Sequence, residues 1–184
     1  MNTVFTVVPV IGILDHLDMR GVSTTMQPTP KIRPATLKDY DAICALFAEL
    51  DRHHVAIDST NYCDFEGPRR PRERIAQFID DADKFLFVAL SDERVVGFTN
   101  GLLASTPPFP MFVQKRFVSV INLMVCPSCR GRGIAKRLMK SVDHWGQDQG
   151  TNAMRLDVIA GNDSALRFYE KLGFRPTRLT LERD

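Results

Sequence analysis

The chain lacks an excess of charge of either sign. Its 24 Lys and Arg residues stand against 22 Asp and Glu, a net charge of +2, which leaves no global electrostatic footprint for nucleic acid. Arginines do gather at Arg69, Arg70, Arg72 and Arg74, but in a Pro-bearing turn such a cluster reads as a solvated loop. Cysteine is scarce as well. Of Cys44, Cys63, Cys126 and Cys129 only the last two are close neighbours, and zinc would want a second pair or a His pair at ligand spacing. His53 and His54 are adjacent, so they point to different sides of a helix or a strand. No metal is expected, and the cysteine count fits a reducing cytoplasm rather than a disulfide framework. A cationic leader and a membrane-length apolar run are missing too. Residues 1–14 are apolar, yet no Lys or Arg precedes Arg20, and Pro9 and Gly12 interrupt the run. That speaks against a signal peptide or a membrane span.

What is present is ordinary for one globular domain: 184 residues, 44% hydrophobic and 25% charged. Residues 1–30 read as a weakly structured extension ending in a polar, Pro-bearing linker, and residues 31–184 as the domain. Residues 31–34 form a short strand. Thr36 caps a helix, with Asp39 at the third helical position as in a capping box. Tyr40, Ile43, Cys44, Phe47 and Leu50 share one face of that helix. Residues 51–71 read as an irregular loop and residues 72–82 as a second helix. Residues 85–90 and 95–103 flank a turn at Ser91, Asp92 and Glu93, a hairpin signal. Residues 116–125 form a long strand. Ile134, Leu138, Val142 and Trp145 stripe the next helix, with Lys136, Lys140 and Asp143 on its outer side. Residues 154–159 read as a strand and 163–172 as a helix that Gly173 terminates. Strand-like residues follow from Phe174. The class is α/β, a mixed central sheet with helices on both faces.

The most informative stretch lies between the long strand and its helix. Arg130, Gly131, Arg132, Gly133, Ile134 and Ala135 make an Arg/Gly loop whose backbone N–H groups stand unpaired at the positive end of a helix. Glycine lets backbone approach a ligand closely, and the combination suits a pyrophosphate. It is not a Walker loop, because Ile134 and Ala135 follow Gly133 where Lys and Ser or Thr are needed. It is not a dinucleotide fingerprint either, since Lys136 stands where a third glycine belongs. About thirty residues on come Asn162, Ala165, Phe168, Tyr169, Leu172, Gly173 and Phe174.

The two stretches together resemble the acetyl-CoA loop and the second motif of the GNAT superfamily of N-acetyltransferases. Arg130, Gly133 and Ala135 fill the first pattern, and Leu123, Met124 and Val125 match the strand that leads into it. The resemblance implies a GNAT-like fold and an acetyl-CoA cosubstrate, with acetyl transferred to the primary amine of a small molecule or protein by direct attack in a ternary complex. It also implies that two splayed strands receive the pantetheine arm. Leu123, Met124 and Val125 would offer it backbone, and residues 130–135 would cradle the pyrophosphate. A bulge in the long strand would free an N–H for the acetyl carbonyl. Asn162 would cap its helix and touch the cofactor arm, and Tyr169 would protonate the departing thiolate. Many relatives carry a glutamate on the long strand, whereas here Asn122 stands among uncharged residues. The base is therefore left open among Asp51, His53, His54 and Glu66. The partner expected is an amine acceptor of unidentified structure; neither nucleic acid nor membrane is expected, and homodimer formation is left open. Two other readings compete: a non-catalytic domain that binds acetyl-CoA, and a redox pair at Cys126 and Cys129.

Overall fold

The computed structural model describes residues 29–67 and 69–183. The extension read for residues 1–30 therefore lies, apart from its last two residues, outside the described residues. Strand β1 (Lys31–Pro34) leads through a short 3-10 turn into α1 (Tyr40–Ile57), then α2 (Arg72–Asp80), β2 (Lys84–Ser91), β3 (Arg94–Ser105) and β4 (Arg116–Val125). Helix α3 (Ile134–Asp148), the two-residue β5 (Met154–Arg155) and α4 (Asp163–Lys171) follow. The five strands lie in the order β1-β2-β3-β4-β5. All pairs are antiparallel except β4 with β5.

Each face of the sheet is covered. Helices α1 and α2 place Ile43, Phe47, Leu50, Ile75 and Phe78 against Val88, Phe98 and Met124. On the other face, Ile134, Leu138, Val142 and Tyr169 of α3 and α4 pack on Phe85, Val118, Val120 and Leu123. Phe98 is wholly buried, and its ring centroid lies 4.5 Å from that of Phe47. A fully buried aromatic of this kind contributes roughly 2–3 kcal/mol. The β2–β3 hairpin turns on Asp92 and Glu93, both at positive φ, the conformation that a tight two-residue hairpin requires.

Three expectations need correction. Helix α1 continues to Ile57 instead of stopping at Leu50. Leu50, His54 and Ile57 continue its inner stripe, and a buried histidine there reads as loop in a polarity pattern. The strand expected over residues 154–159 pairs only at Met154 and Arg155. Leu156 and Val158 still pack on the core, so their alternation reflects burial without a ladder. After Phe174 no strand forms among the described residues.

The entry into α1 rests on Asp39. Its carboxylate accepts from Arg33 at 2.7 and 2.8 Å and from the Thr36 N–H at 2.8 Å. The Arg33 hydrogen bonds outweigh the effect of burial and, with Thr36, hold Asp39 down to about 2. A depressed carboxylate stabilises the fold above its unfolded pKa, and that contribution is lost as pH falls toward the folded value. Asp39→Asn should therefore cost about 1–2 kcal/mol near neutral pH. Urea titrations should find the gap from wild type narrowing between about pH 4 and pH 2; a gap constant with pH would mean that the charge contributes nothing.

Candidate functional site

Strand β4 has a partner along its whole length on one side only. It pairs with β3 from Arg116 to Val125, but with β5 only at Val118 and Ser119. Beyond Ser119 the two parallel strands part. Cys126 donates its N–H to Val96 O, so strand alternation turns the backbone of Met124 toward β3 and that of Leu123 and Val125 toward the split. Within this stretch the register slips: Asn100 faces Asn122, while Gly101 faces Val120. Ile121 is thus the extra residue of a β-bulge, the irregularity that frees a backbone group from its ladder.

The open edge runs into the Arg/Gly loop. Gly131 (φ +74°) and Gly133 (φ +73°) both adopt the left-handed conformation, and Gly133 is the N-cap of α3, a residue with no side chain to bond the first helical amides. Those amides therefore remain available to an anion. The Arg130 side chain turns inward, its Nε donating to Val125 O at 3.2 Å. Beside the loop is a groove lined by the cations Arg132, Lys136, Arg137 and Lys140, by one carboxylate, Asp143, and by apolar residues that include Leu172 and Phe174. Sequence reading places Lys136 and Lys140 on a solvated helix face. The structure adds Arg137, and the repeat of cations three and four residues apart is the signal that marks a shared wall.

Helix α4 brings two polar groups to the buried side of this region. Asn162 Oδ1 accepts from the Ala165 N–H at 3.1 Å and from Ser164 Oγ at 3.0 Å, capping the helix as expected, while its Nδ2 is buried with no partner among the described residues. The Tyr169 ring packs against Phe168 and Phe174. Its hydroxyl is buried and has no partner among the described residues either. Burial pushes this phenol far above its ordinary pKa, so it keeps its proton throughout the working pH range. An orphaned polar atom costs about 1–3 kcal/mol, a cost that a bound group can relieve.

The candidate bases fare differently. Asp51 is held by Arg70 at 3.1 Å, and Glu66 is exposed. His54 is buried, 4.8 Å from Tyr62 between ring centroids. His53 Nε2 is buried with no partner among the described residues. Burial and, to a smaller degree, the charge of Arg130 lower its pKa, so the imidazole is neutral at pH 7 and next to the loop arginine.

The model of the acetyltransferase (GNAT) family matches residues 45–174. The chain belongs to the GNAT family of acetyltransferases. Among curated relatives, human N-acetyltransferase 8B is 31% identical over 100 residues, 54% of this chain and 42% of the relative. Aminoglycoside N(6')-acetyltransferase type 1 of Salmonella typhimurium is 28% identical over 95 residues, 50% of this chain and 62% of the relative. The matched part is thus less than two thirds of either protein. Among solved structures, a variant of the BH1408 protein from Bacillus halodurans superposes with a TM-score of 0.79 at 26% identity, over 84% of this chain and 98% of that one. A predicted acetyltransferase from Clostridium acetobutylicum, solved with acetyl-CoA, gives 0.65 at 16% identity, over 85% and 96%; it attests the fold.

The cysteine pair reads differently within this GNAT frame. Cys126 Sγ lies 3.1 Å from Ser128 Oγ, and both cysteines are free thiols. They occupy a 3-10 turn ahead of the loop, and α3 begins only at Ile134. A thiol pair of the thioredoxin type would open the helix itself, so that reading loses its geometric support.

The bulge depends on Gly101 across the sheet, where a Cβ would meet Ser119 O at 2.1 Å and the Phe85 ring at 2.6 Å. Gly101→Ala should cost about 2 kcal/mol or more through overpacking. Gly131→Ala, with open space around it, should cost only the strain of a left-handed alanine, about 1 kcal/mol. Thermal melts of the two variants would rank them, and equal losses would mean that the sheet yields at the bulge.

Proposed function

We propose that this domain transfers the acetyl group of acetyl-CoA to a primary amine of a small molecule or protein by direct attack in a ternary complex. The observation that carries the reading is the unpaired edge of β4, which leads from the bulge at Ile121 into the left-handed glycines at the start of α3. An extended amide-bearing arm can pair with such an edge as an added strand would. The backbone of Leu123 and Val125 would meet it there, with Met124 behind them in the sheet. The amides of Gly131, Gly133, Ile134 and Ala135 would take the pyrophosphate, with Arg130 and Arg132 beside them, and the cationic groove on α3 suits further phosphate. The names of the relatives and the acetyl-CoA in the Clostridium structure support the same cosubstrate.

Bound there, the thioester supplies an activated acyl group. The chain then has to orient the amine, hold the carbonyl oxygen and manage two protons. Attack forms a C–N bond and breaks the C–S bond. The nitrogen's surplus proton passes to a base, and His53, neutral and with no partner for its Nε2 among the described residues, is the group best prepared to accept it. Tyr169, whose hydroxyl holds its proton and has no partner among the described residues, would donate a hydrogen bond to the departing sulfur. The proton follows once the charge growing on sulfur offsets the burial that makes the free phenol a weak acid. Asn162 fixes the start of α4 and with it the placement of that phenol.

Two measurements test this. Gly133→Asp would put bulk and negative charge where the pyrophosphate binds. Calorimetry should find acetyl-CoA affinity reduced at least tenfold in a folded protein, and an unchanged dissociation constant would remove the loop from the site. Tyr169→Phe keeps the ring. Following thiol release in an amine screen, kcat should drop on the order of 10² with little change in acetyl-CoA affinity; a drop below about threefold with chemistry rate-limiting would return Tyr169 to a packing role.

A further inference from the structure

On the face of β4 that α1 covers, the bulge holds a polar pair. Asn122 Nδ2 donates to Asn100 Oδ1 at 2.9 Å, and the bond is buried. Thr99 Oγ1 donates to the Asn122 carbonyl at 2.9 Å, which ties the backbone at the same point. Asn122 is 3% exposed and Asn100 4%. Asn122 Oδ1 nevertheless has no hydrogen-bond partner among the described residues. The side chain is therefore fixed through its amide nitrogen while its oxygen, a good acceptor, is left waiting. Such an atom costs about as much as a lost hydrogen bond, and here it stands one residue from the bulge at Ile121.

The surroundings limit what the oxygen can receive. The cluster on this face contains Phe47, Leu50, Phe98 and Met124, the α1 carboxylate Asp51 is engaged with Arg70, and on the loop side Arg130 stands close enough to act on His53. Glu49 also faces Arg130, but its carboxylate is engaged with Arg52. A desolvated ammonium would have to compete for carboxylates that are already paired. A neutral amine needs none: it donates one N–H to an amide oxygen and keeps its lone pair for attack.

We propose that Asn122 Oδ1, held in place by Asn100, receives the attacking nitrogen of an uncharged primary amine, and that the seat therefore selects acceptors of the α-amino class over lysine-like ones. This rests on the acetyltransferase reading above and deepens it on the acceptor side. An α-amino group with a pKa near 7.7–8.0 is substantially neutral at pH 7.5, whereas an ε-amino group near 10.4 is neutral only to about one part in a thousand. Selection of the neutral form alone thus favours the first by on the order of 10². Asn100 is a positioning residue, acting only through Asn122.

The test uses the full chain, acetyl-CoA, leucinamide as the α-amine and Nα-acetyl-lysine amide as the ε-amine. Wild type should acetylate leucinamide with a kcat/KM at least 30-fold above that for the lysine derivative. Asn122→Ala should raise the KM for leucinamide at least tenfold while acetyl-CoA affinity stays within twofold, and Asn100→Ala should do the same to a smaller degree. Asn122→Asp, isosteric, keeps an acceptor oxygen at the seat if Asn100 turns its amide to donate in place of accepting; in a variant whose thermal melt shows it folded, the added negative charge should shift the preference toward the ε-amine. Leucinamide left unacetylated, equal use of both amines, or an Asn122→Asp preference identical to wild type overturns the proposal. Failure of wild type to bind acetyl-CoA would instead sink the acetyltransferase reading itself.

Discussion

A sheet cannot leave a strand edge unpaired in its interior without cost, because each buried N–H or C=O that loses its partner forfeits a hydrogen bond. The parting of β4 from β5 is the constraint on which the rest of this molecule turns. Once the strands separate beyond Ser119, β4 needs support on every other side. It has the full antiparallel ladder with β3, the α1 cluster over one face, α3 and α4 over the other, and Arg130 reaching back to the Val125 carbonyl. The bulge at Ile121 is tolerable only because that ladder is otherwise unbroken across the split. The family likeness and the geometry converge here, for the edge exposed is the one that an amide-bearing ligand would complete.

Much of this was legible in the sequence, and for identifiable reasons. Arg130, Gly133 and Ala135, with Asn162 and Tyr169 at the right distance, form a pattern whose chemistry is local: left-handed glycines, an uncapped helix start and a side-chain cap, all of which the structure contains. The capping box at Thr36 and the β2–β3 turn are local in the same sense. What was illegible depends on distance across the fold. Asn100 cannot be known as the neighbour of Asn122 without the register, and the bulge shifts that register by one. Residues 156–158 alternate as a strand would, because burial alone imposes the alternation; whether they pair is decided by how far β4 has already turned away. His54 looked like loop since polarity patterns assume that a histidine faces water.

Of the described residues between α1 and α2, Arg70 makes several contacts with α1. Arg70 bonds Asp51 at 3.1 Å, its guanidinium carbon lies 4.3 Å from the Phe47 ring centroid, and its carbonyl accepts from Tyr40 OH at 2.8 Å. Charge, ring and backbone thus join the end of the segment to α1, and Tyr62, its ring centroid 4.8 Å from that of His54, joins its start. The preceding stretch, which includes the exposed Cys63, Asp64 and Phe65, is held by the Arg69–Asp64 contact at 3.1 Å. Such exposed pairs are weak, so the stretch from Cys63 to Phe65 is tied less firmly than Tyr62 and Arg70 on either side of it.

The parting of the strands also makes β4 a gradient of protection within ten residues. The Val118 amide is locked to Ala153 O at 2.8 Å beneath Gly146, where α3 comes so close that even a methyl group would meet Val118 at 2.8 Å. The Leu123 amide, a few residues on, faces the side where no strand accepts it. In native-state hydrogen exchange the first would report global unfolding and the second only local fluctuation. A single strand thus carries both tied and untied amides within a few residues, and the amide of Val118 serves as an internal reference against which ligand-induced slowing at Leu123 and Val125 can be read.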